Sequence, residues 1–189
     1  MPTQGIETAE FGAWLTRHLA DSPAGQGHRV FYDHGDRVGD PQHVCAIKAY
    51  FGEGLSSNLN RLADVDVLIE GPGGEACFLI EIEERGVSPK KLLGDAMALI
   101  LANRLRAGNN RSLSGRDVRL TPETRMIIAG VLPEGGHRLG KLEQTIQPRL
   151  AQLKGLPGGL EPAKIELLFA TSTKKAMDRL RQRICQEYP

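Results

Sequence analysis

ADVDVLIEGPGGEACFLIEIEE, residues 63–84, holds two β-rich runs around the turn GPGGEA. Four carboxylates, Asp64, Asp66, Glu81 and Glu83, sit two apart inside those runs. Side chains on a strand alternate faces, so each pair shares one face of its own strand. Val65, Val67 and Ile69 take the other face of the first run, and Phe78, Ile80 and Ile82 that of the second. The glycine-rich turn reads as a hairpin with a loop longer than the tight two-residue kind.

Register decides whether the two acidic faces coincide. If Glu70 pairs with Cys77, Asp66 falls opposite Glu81 and Asp64 opposite Glu83. Directly opposed residues lie on one side of the sheet, about 5 Å apart at Cβ. A one-residue slip would send the pairs to opposite faces. Four acids that close need a proton or a cation among them. Oxygen donors without nearby Cys or His suit Mg²⁺ or Mn²⁺ rather than zinc. Such an ion takes one or two protein carboxylates and leaves places for water and a phosphate oxygen. The competing reading is a solvated acidic edge that discourages aggregation.

Outward from the hairpin, Phe11, Trp14, Leu15, His18 and Leu19 have helical spacing over 7–20. A short strand is expected near 29–32 and another over 44–51. Ser88-Pro89 opens a helix read as running to Gly108, and a polar loop is expected over 108–124. RMIIAGVL (125–132) and KIELLFA (164–170) read as strands. Helices are expected over 139–153, interrupted by Pro148, and from a cap at Thr171 or Ser172 to about Gln186. The order predicts an α/β fold around one central sheet. At 189 residues a single domain is expected, 1–189, with a core over about 7–132 and an extension over 133–189.

These residues resemble the PD-(D/E)xK nucleases, whose fold is restriction-endonuclease-like: helix, three strands, helix, strand, with a central mixed sheet flanked by helices. Asp66, before VLIE, and Glu81-Ile82-Glu83, after CFLI, match the motif. The resemblance implies a metal-dependent DNA endonuclease, of restriction type. Asp66 and Glu81 would bind Mg²⁺ (or Mn²⁺), helped by the Ile82 carbonyl. Val65 stands where the motif has proline, and Glu83 where it has lysine. In the Glu-x-Glu variants of that family the second glutamate serves as a further metal contact or as general base. The lysine role otherwise falls to Lys90 or Lys91 on the next helix, or to Lys48. If none reaches, the chain is a non-catalytic nucleic-acid- or partner-binding module on the same fold. Glu7 and Glu10 on the first helix are weaker candidates for an extra metal contact.

Charge is asymmetric. Residues 1–100 carry 8 Lys+Arg against 15 Asp+Glu, and residues 101–189 carry 16 against 8. Such a layout suits an anionic partner for the second half, unless the halves neutralise each other in the fold. Arg104, Arg111, Arg116 and Arg119, with Lys90 and Lys91, are the expected DNA contacts, because arginine forks match phosphates. For the last basic helix a solvated face is favoured. A homodimer would supply two sites for cutting a duplex. His28, Asp33, His34, Asp36, Asp40 and His43 crowd one stretch, but their spacing matches no metal motif. His137 reads as a loop residue.

Cys45, Cys77 and Cys185 have no paired spacing and read as small buried hydrophobes in a reducing cytoplasm. The longest apolar run, 96–102, falls short of the roughly 20 residues of a spanning helix. The first residues lack a basic start followed by an apolar block, so no secretory signal is expected.

Overall fold

A computed structural model of the chain describes residues 5–34, 43–52, 56–84, 88–108, 115–132 and 137–189, with side chains left out at 89 and 137–143. The chain opens with α1 (Ile6–Asp21), whose Phe11, Leu15 and Leu19 are buried at helical spacing. Strand β1 (Arg29–Tyr32) follows, then β2 (Ile47–Tyr50), β3 (Arg61–Val65), β4 (Val67–Glu70) and β5 (Ala76–Glu83). Helix α2 (Pro89–Leu101) leads to β6 (Arg104–Ala107), β7 (Arg116–Arg119) and β8 (Arg125–Val131). Helix α3 (His137–Leu150), β9 (Ile165–Ala170) and α4 (Thr173–Glu187) complete it.

Two sheets form where one was expected. The first runs β1-β4-β5-β8-β9, antiparallel up to β5 and parallel from β5 to β9. The second, β3-β2-β6-β7, is antiparallel throughout. The run 64–70 is therefore not one strand. It breaks at Asp66, and the chain crosses there from the second sheet to the first. Val65 pairs with Ile47 in one sheet while Val67 pairs with Ile80 in the other, and all four are buried.

Alternation sorts the first sheet into two cores. Val67, Ile69, Ile80, Ile82 and Ile127 pack with α1 and with Met177, Leu180 and Ile184 of α4. Leu68, Leu79, Met126 and Ile128 pack on the other side with Leu92, Ala96 and Leu99 of α2 and the inner face of the second sheet. Fully burying a side chain of this kind is worth about 1.5–3 kcal/mol, so each layer is held chiefly by apolar burial.

The helix after Ser88 stops at Leu101 rather than Gly108. Arg104 to Ala107 alternate charged and buried apolar residues, a strand period, and pairing with β2 overrides helix propensity. The expected polar loop likewise contains β7, which pairs with β6. Gly108 and Gly115 close that ribbon, and a Cβ on Gly108 would lie 2.5 Å from the Gly115 Cα, too close for any side chain. The strand expected over 44–51 shortens to β2, and only Val44 bridges to Tyr32 of the first sheet. Pro148 sits inside the last turn of α3 rather than ending it. Ser172, not Thr171, caps α4 by accepting from the Lys175 amide at 3.4 Å.

Candidate active site

The β4–β5 ladder pairs Val67 with Ile80 and Ile69 with Phe78, and the next step of that register sets Asp66 against Glu81. At the turn end a bulge shifts the pairing, so Glu70 meets Ala76 rather than Cys77. Asp66 accepts the Ile82 amide at 2.7 Å on Oδ2, and its own carbonyl accepts from the Asp33 amide at 2.9 Å. The bend at the sheet junction is thus pinned to both neighbouring strands. Burial raises the Asp66 carboxyl to about 6; the Ile82 bond and His34 oppose that, while Glu83 and Asp33 add to it.

Glu81 is only 8% exposed, and among the described residues no donor is hydrogen-bonded to its carboxylate. Burial, followed by the charges of Asp66, Asp95 and Glu83, pushes it well above the usual carboxylate range, with Lys91 opposing. A charge left this way in a protein interior is costly unless a proton or cation compensates it.

Helix α2 supplies the cation. Ser88 accepts the Lys91 amide at 3.2 Å as N-cap, which fixes the first turn. Leu92, Ala96 and Leu99 anchor the helix in the core, and Lys91 and Asp95, four apart, share a side. Lys91 Nζ donates to Glu83 Oε1 in an ion pair whose glutamate is nearly covered. Burial pulls the Lys91 ammonium down, but Glu83, Asp95 and Glu81 outweigh it and raise it. Asp95 was not singled out by sequence. Its Oδ2 is buried without a partner, and burial raises its carboxyl against the pull of Lys91. The readable signal was its position one turn after Lys91.

Glu84, just past the end of β5, caps α1. It accepts from the Gly5 amide at 3.0 Å, and from the Thr8 amide at 3.1 Å and hydroxyl at 3.3 Å. Glu7, beside it, is raised by burial and by Glu10 and Glu84, with Arg181 opposing. Asp64 does not join the group. It lies in the second sheet, half exposed, paired with Arg61 and opposite Lys48. Lys90 is exposed on α2.

The arginines separate into two sets. Arg116 turns inward and donates to Glu70 Oε1 at 2.6 Å; Glu70 is 1% exposed. Arg104 lies over the Tyr50 ring at 5.8 Å and Arg119 reaches the Gly73 carbonyl at 3.4 Å. Arg111 lies outside the described residues. On α4, Arg183 is neutralised by Glu166 at 2.8 Å and Glu187 at 2.7 Å, which accords with a solvated face rather than a phosphate contact there.

Among the described residues the His/Asp stretch does not converge on one point. His28 packs edge-on against Tyr188, and His43 sits 2.9 Å from the Val30 carbonyl. Asp36, Asp40 and the His137 side chain lie outside the described residues. The cysteines are free; Cys45 and Cys77 are half-buried, and Cys185 is exposed, against expectation, on the outer side of α4.

Among the described residues no group of three His, Cys, Asp or Glu side chains is set to hold a metal ion. The donor set still suits a hard divalent cation. Glu81 is buried beside Asp66 with no donor, Asp95 Oδ2 is buried with no partner, and all these donors are oxygen. Mg²⁺ commonly uses one or two protein carboxylates and completes its octahedron with water and phosphate oxygens, so a three-residue cage is not required. No helix among the described residues is long and apolar enough to cross a membrane. No family model matches the chain, and no curated protein or solved structure matches it.

Proposed function

We propose that the chain is a metal-dependent DNA endonuclease, a phosphodiester hydrolase of the PD-(D/E)xK kind in which the motif lysine has moved to α2. One observation carries the reading: the Lys91 ammonium bonds to Glu83 beside the buried carboxylates Asp66 and Glu81. The order α1, β1, β4, β5, α2, β8, with β8 parallel to β5, also follows the order the resemblance implies, with β2 and β3 inserted before β4 and β6 and β7 before β8.

Asp66 and Glu81 would hold Mg²⁺ or Mn²⁺, which when bound lowers the pKa of water and stabilises charge on a leaving oxygen. The chain's own residues do the rest. The Ile82 amide orients Asp66. Glu83 accepts a proton from water when Lys91 turns its charge to a phosphate oxygen, which separates the two roles that one lysine would combine. Two copies as a homodimer would place one site at each strand of a duplex.

The test is supercoiled plasmid with Mn²⁺, with and without chelator. Cleavage is expected with metal alone. Asp66→Ala abolishes it and keeps its thermal melt; Lys91→Met lowers it by about two orders of magnitude, in the range of acid–base and charge effects. Cleavage that persists in Asp66→Ala removes the proposal. Glu83 in the lysine position favours a second reading, a non-catalytic nucleic-acid-binding module. That reading expects salt-sensitive binding with no metal-dependent cleavage.

A further inference from the structure

Helix α2 has an outer face that the acidic site does not use. Between Lys91 and Arg104 the only charged residue is Asp95. Leu92, Ala96 and Leu99 enter the core. The opposite side is apolar as well: Leu93, Met97 and Leu101, each about one turn on from the last, are 40, 39 and 44% exposed. At 3.6 residues per turn these three and Gly94 fall within an arc of about 100°. A surface helix ordinarily turns charge outward, as α4 does with Lys174, Lys175 and Asp178. A helix apolar on both sides is one covered on both, and among the described residues nothing covers this stripe.

Gly94 fits close packing there. It lies inside α2, where glycine weakens a helix, and a Cβ on it would stand in open space. The single chain has no steric need of glycine at that position. A helix laid against the stripe does, because bare backbone lets two axes approach to about 8 Å. The stripe is also symmetric: Leu93 and Leu101 stand four residues either side of Met97. A second copy turned about a two-fold axis at Met97 sets Met97 against Met97 and Leu93 against Leu101, self-complementary as a closed dimer requires. Charge agrees with this occupant. Lys90, seven residues before Met97, lies on the same side in a first turn that holds no acid, the end of a helix that disfavours a cation. Antiparallel packing brings it to the carbonyl end of the partner's α2, where a cation is favoured.

We infer that the outer face of α2 is an interface between two copies of this chain, their helices antiparallel about a two-fold axis at Met97. Lys91 and Asp95 lie on one flank of the stripe, and a two-fold of this kind keeps that flank on one side of the pair. Both acidic sites then open on the same side, with the two Lys91 residues about 18 Å apart along the helix axis. This gives the nuclease reading the surface for its pair of copies, and it rests on that reading for its purpose but not for its test. Leu156, also exposed, extends the apolar surface at the C-terminal end of α2, where a Cβ on Gly159 would lie 3.3 Å from the Ala102 carbonyl. A standard interface takes about 800 Å² from each partner. A single helix about 20 Å long offers less, so the pair forms in the micromolar range and comes apart on dilution.

The experiment is sedimentation velocity of the full chain in EDTA across a concentration series. Wild type should pass from monomer to dimer between about 1 and 100 μM. Met97→Glu should stay monomeric throughout and keep its thermal melt, since that side chain is exposed in the single chain. Gly94→Lys separates docking from folding. It should raise the melting temperature of the dilute chain by restoring helix propensity, and weaken association at least about tenfold. Should Met97→Glu unfold, Gly94→Lys decides alone. Orientation is read in a Cys185→Ser background, which removes the exposed native thiol. Met97→Cys should cross-link to itself on mild oxidation. Leu93→Cys should not, because antiparallel packing holds its two copies about 12 Å apart, beyond the reach of a disulfide. A wild-type chain still monomeric at about 100 μM, association unchanged in Met97→Glu or Gly94→Lys, or self-cross-linking of Leu93→Cys in place of Met97→Cys overturns the inference. A dimer that cuts nothing with Mn²⁺ leaves it standing and removes the nuclease reading; a monomer that cuts does the reverse.

Discussion

Two glutamates are buried on the β4–β5 hairpin, Glu70 at the turn end and Glu81 at the open end. Both belong to the side that faces α2 and the second sheet. Glu70 receives a guanidinium, Arg116 at 2.6 Å, although its second oxygen has no partner. Among the described residues Glu81 receives no donor, and Asp66, Glu83 and Asp95 lie around it. Two similar side chains on one ribbon are thus treated in opposite ways. At the turn the fold closes the charge with its own arginine and gains a clamp between sheets. At the open end it leaves a charge for something else to close, and that is where chemistry is to be sought.

Activity should break this comparison most sharply. Glu81→Ala should lower Mn²⁺-dependent plasmid cleavage by about a thousandfold or more, the scale of losing a main metal or electrostatic contact. Glu70→Gln, measured on the same substrate, should stay within about threefold. A Glu70 variant as inactive as the Glu81 variant would mean that the two ends are not different in kind.

Stability should separate them in the other direction. Arg116→Met leaves Glu70 buried and unpaired, and should cost about 2 kcal/mol, less than a fully buried pair because Arg116 is itself half exposed. Glu81→Gln in metal-free protein removes a buried carboxyl whose ionised form the fold disfavours, and should raise stability by about 1 kcal/mol at neutral pH. Urea melts in EDTA compare the two. Loss of stability in Glu81→Gln would show that the carboxylate is satisfied within the folded chain.

How much of this was legible follows from where the interactions are local. The hairpin and the register placing Asp66 toward Glu81 could be read from alternation around GPGGEA, because period and turn are local properties. Lys91 could be proposed because Ser88-Pro89 marks the helix start that carries it. The break at Asp66 could not be read. DVDVLIE is a uniform strand pattern, and only the partners, Ile47 on one side and Ile80 on the other, show that two sheets share it. Arg104 to Ala107 failed for the same reason, since good helix formers were drawn into pairing with β2. Arg116 looked like a phosphate contact because Glu70, its partner, lies 46 residues away in sequence.

A pH profile sharpens the contrast further. Burial lifts the Asp66 carboxyl from 3.8 to about 6. Between roughly pH 4 and 6 the folded chain therefore holds a proton that the unfolded chain has released. The Asp66 contribution to metal-free stability should fall as pH rises through that window and level off above it, by roughly 3 kcal/mol at most. Glu81 shifts the same way and extends the trend. Asp66→Asn should flatten the slope in thermal melts from pH 4 to 7. At pH 7.5, Mg²⁺ should raise the melting temperature of wild type and not of that variant, since a ligand stabilises only the state that binds it. A profile in which wild-type stability climbs from pH 4 to 6 would contradict the burial of these carboxyls.

The smallest expected effect tests the junction itself. Asp64 and Asp66 differ by two residues and share a face in any continuous strand, so sequence alone assigns them the same fate. The bend at Asp66 separates them. Asp66 turns into the first sheet, while Asp64 stays on the rim of the second, half exposed and paired with an Arg61 that is also partly exposed. Exposed pairs of this sort contribute about 0–1 kcal/mol. Asp64→Asn should therefore change stability by less than about 0.5 kcal/mol and cleavage by less than about twofold. A collapse of cleavage in Asp64→Asn would place all four acids together on one unbroken strand pair, and would replace the two-sheet junction with the single hairpin that the sequence suggests.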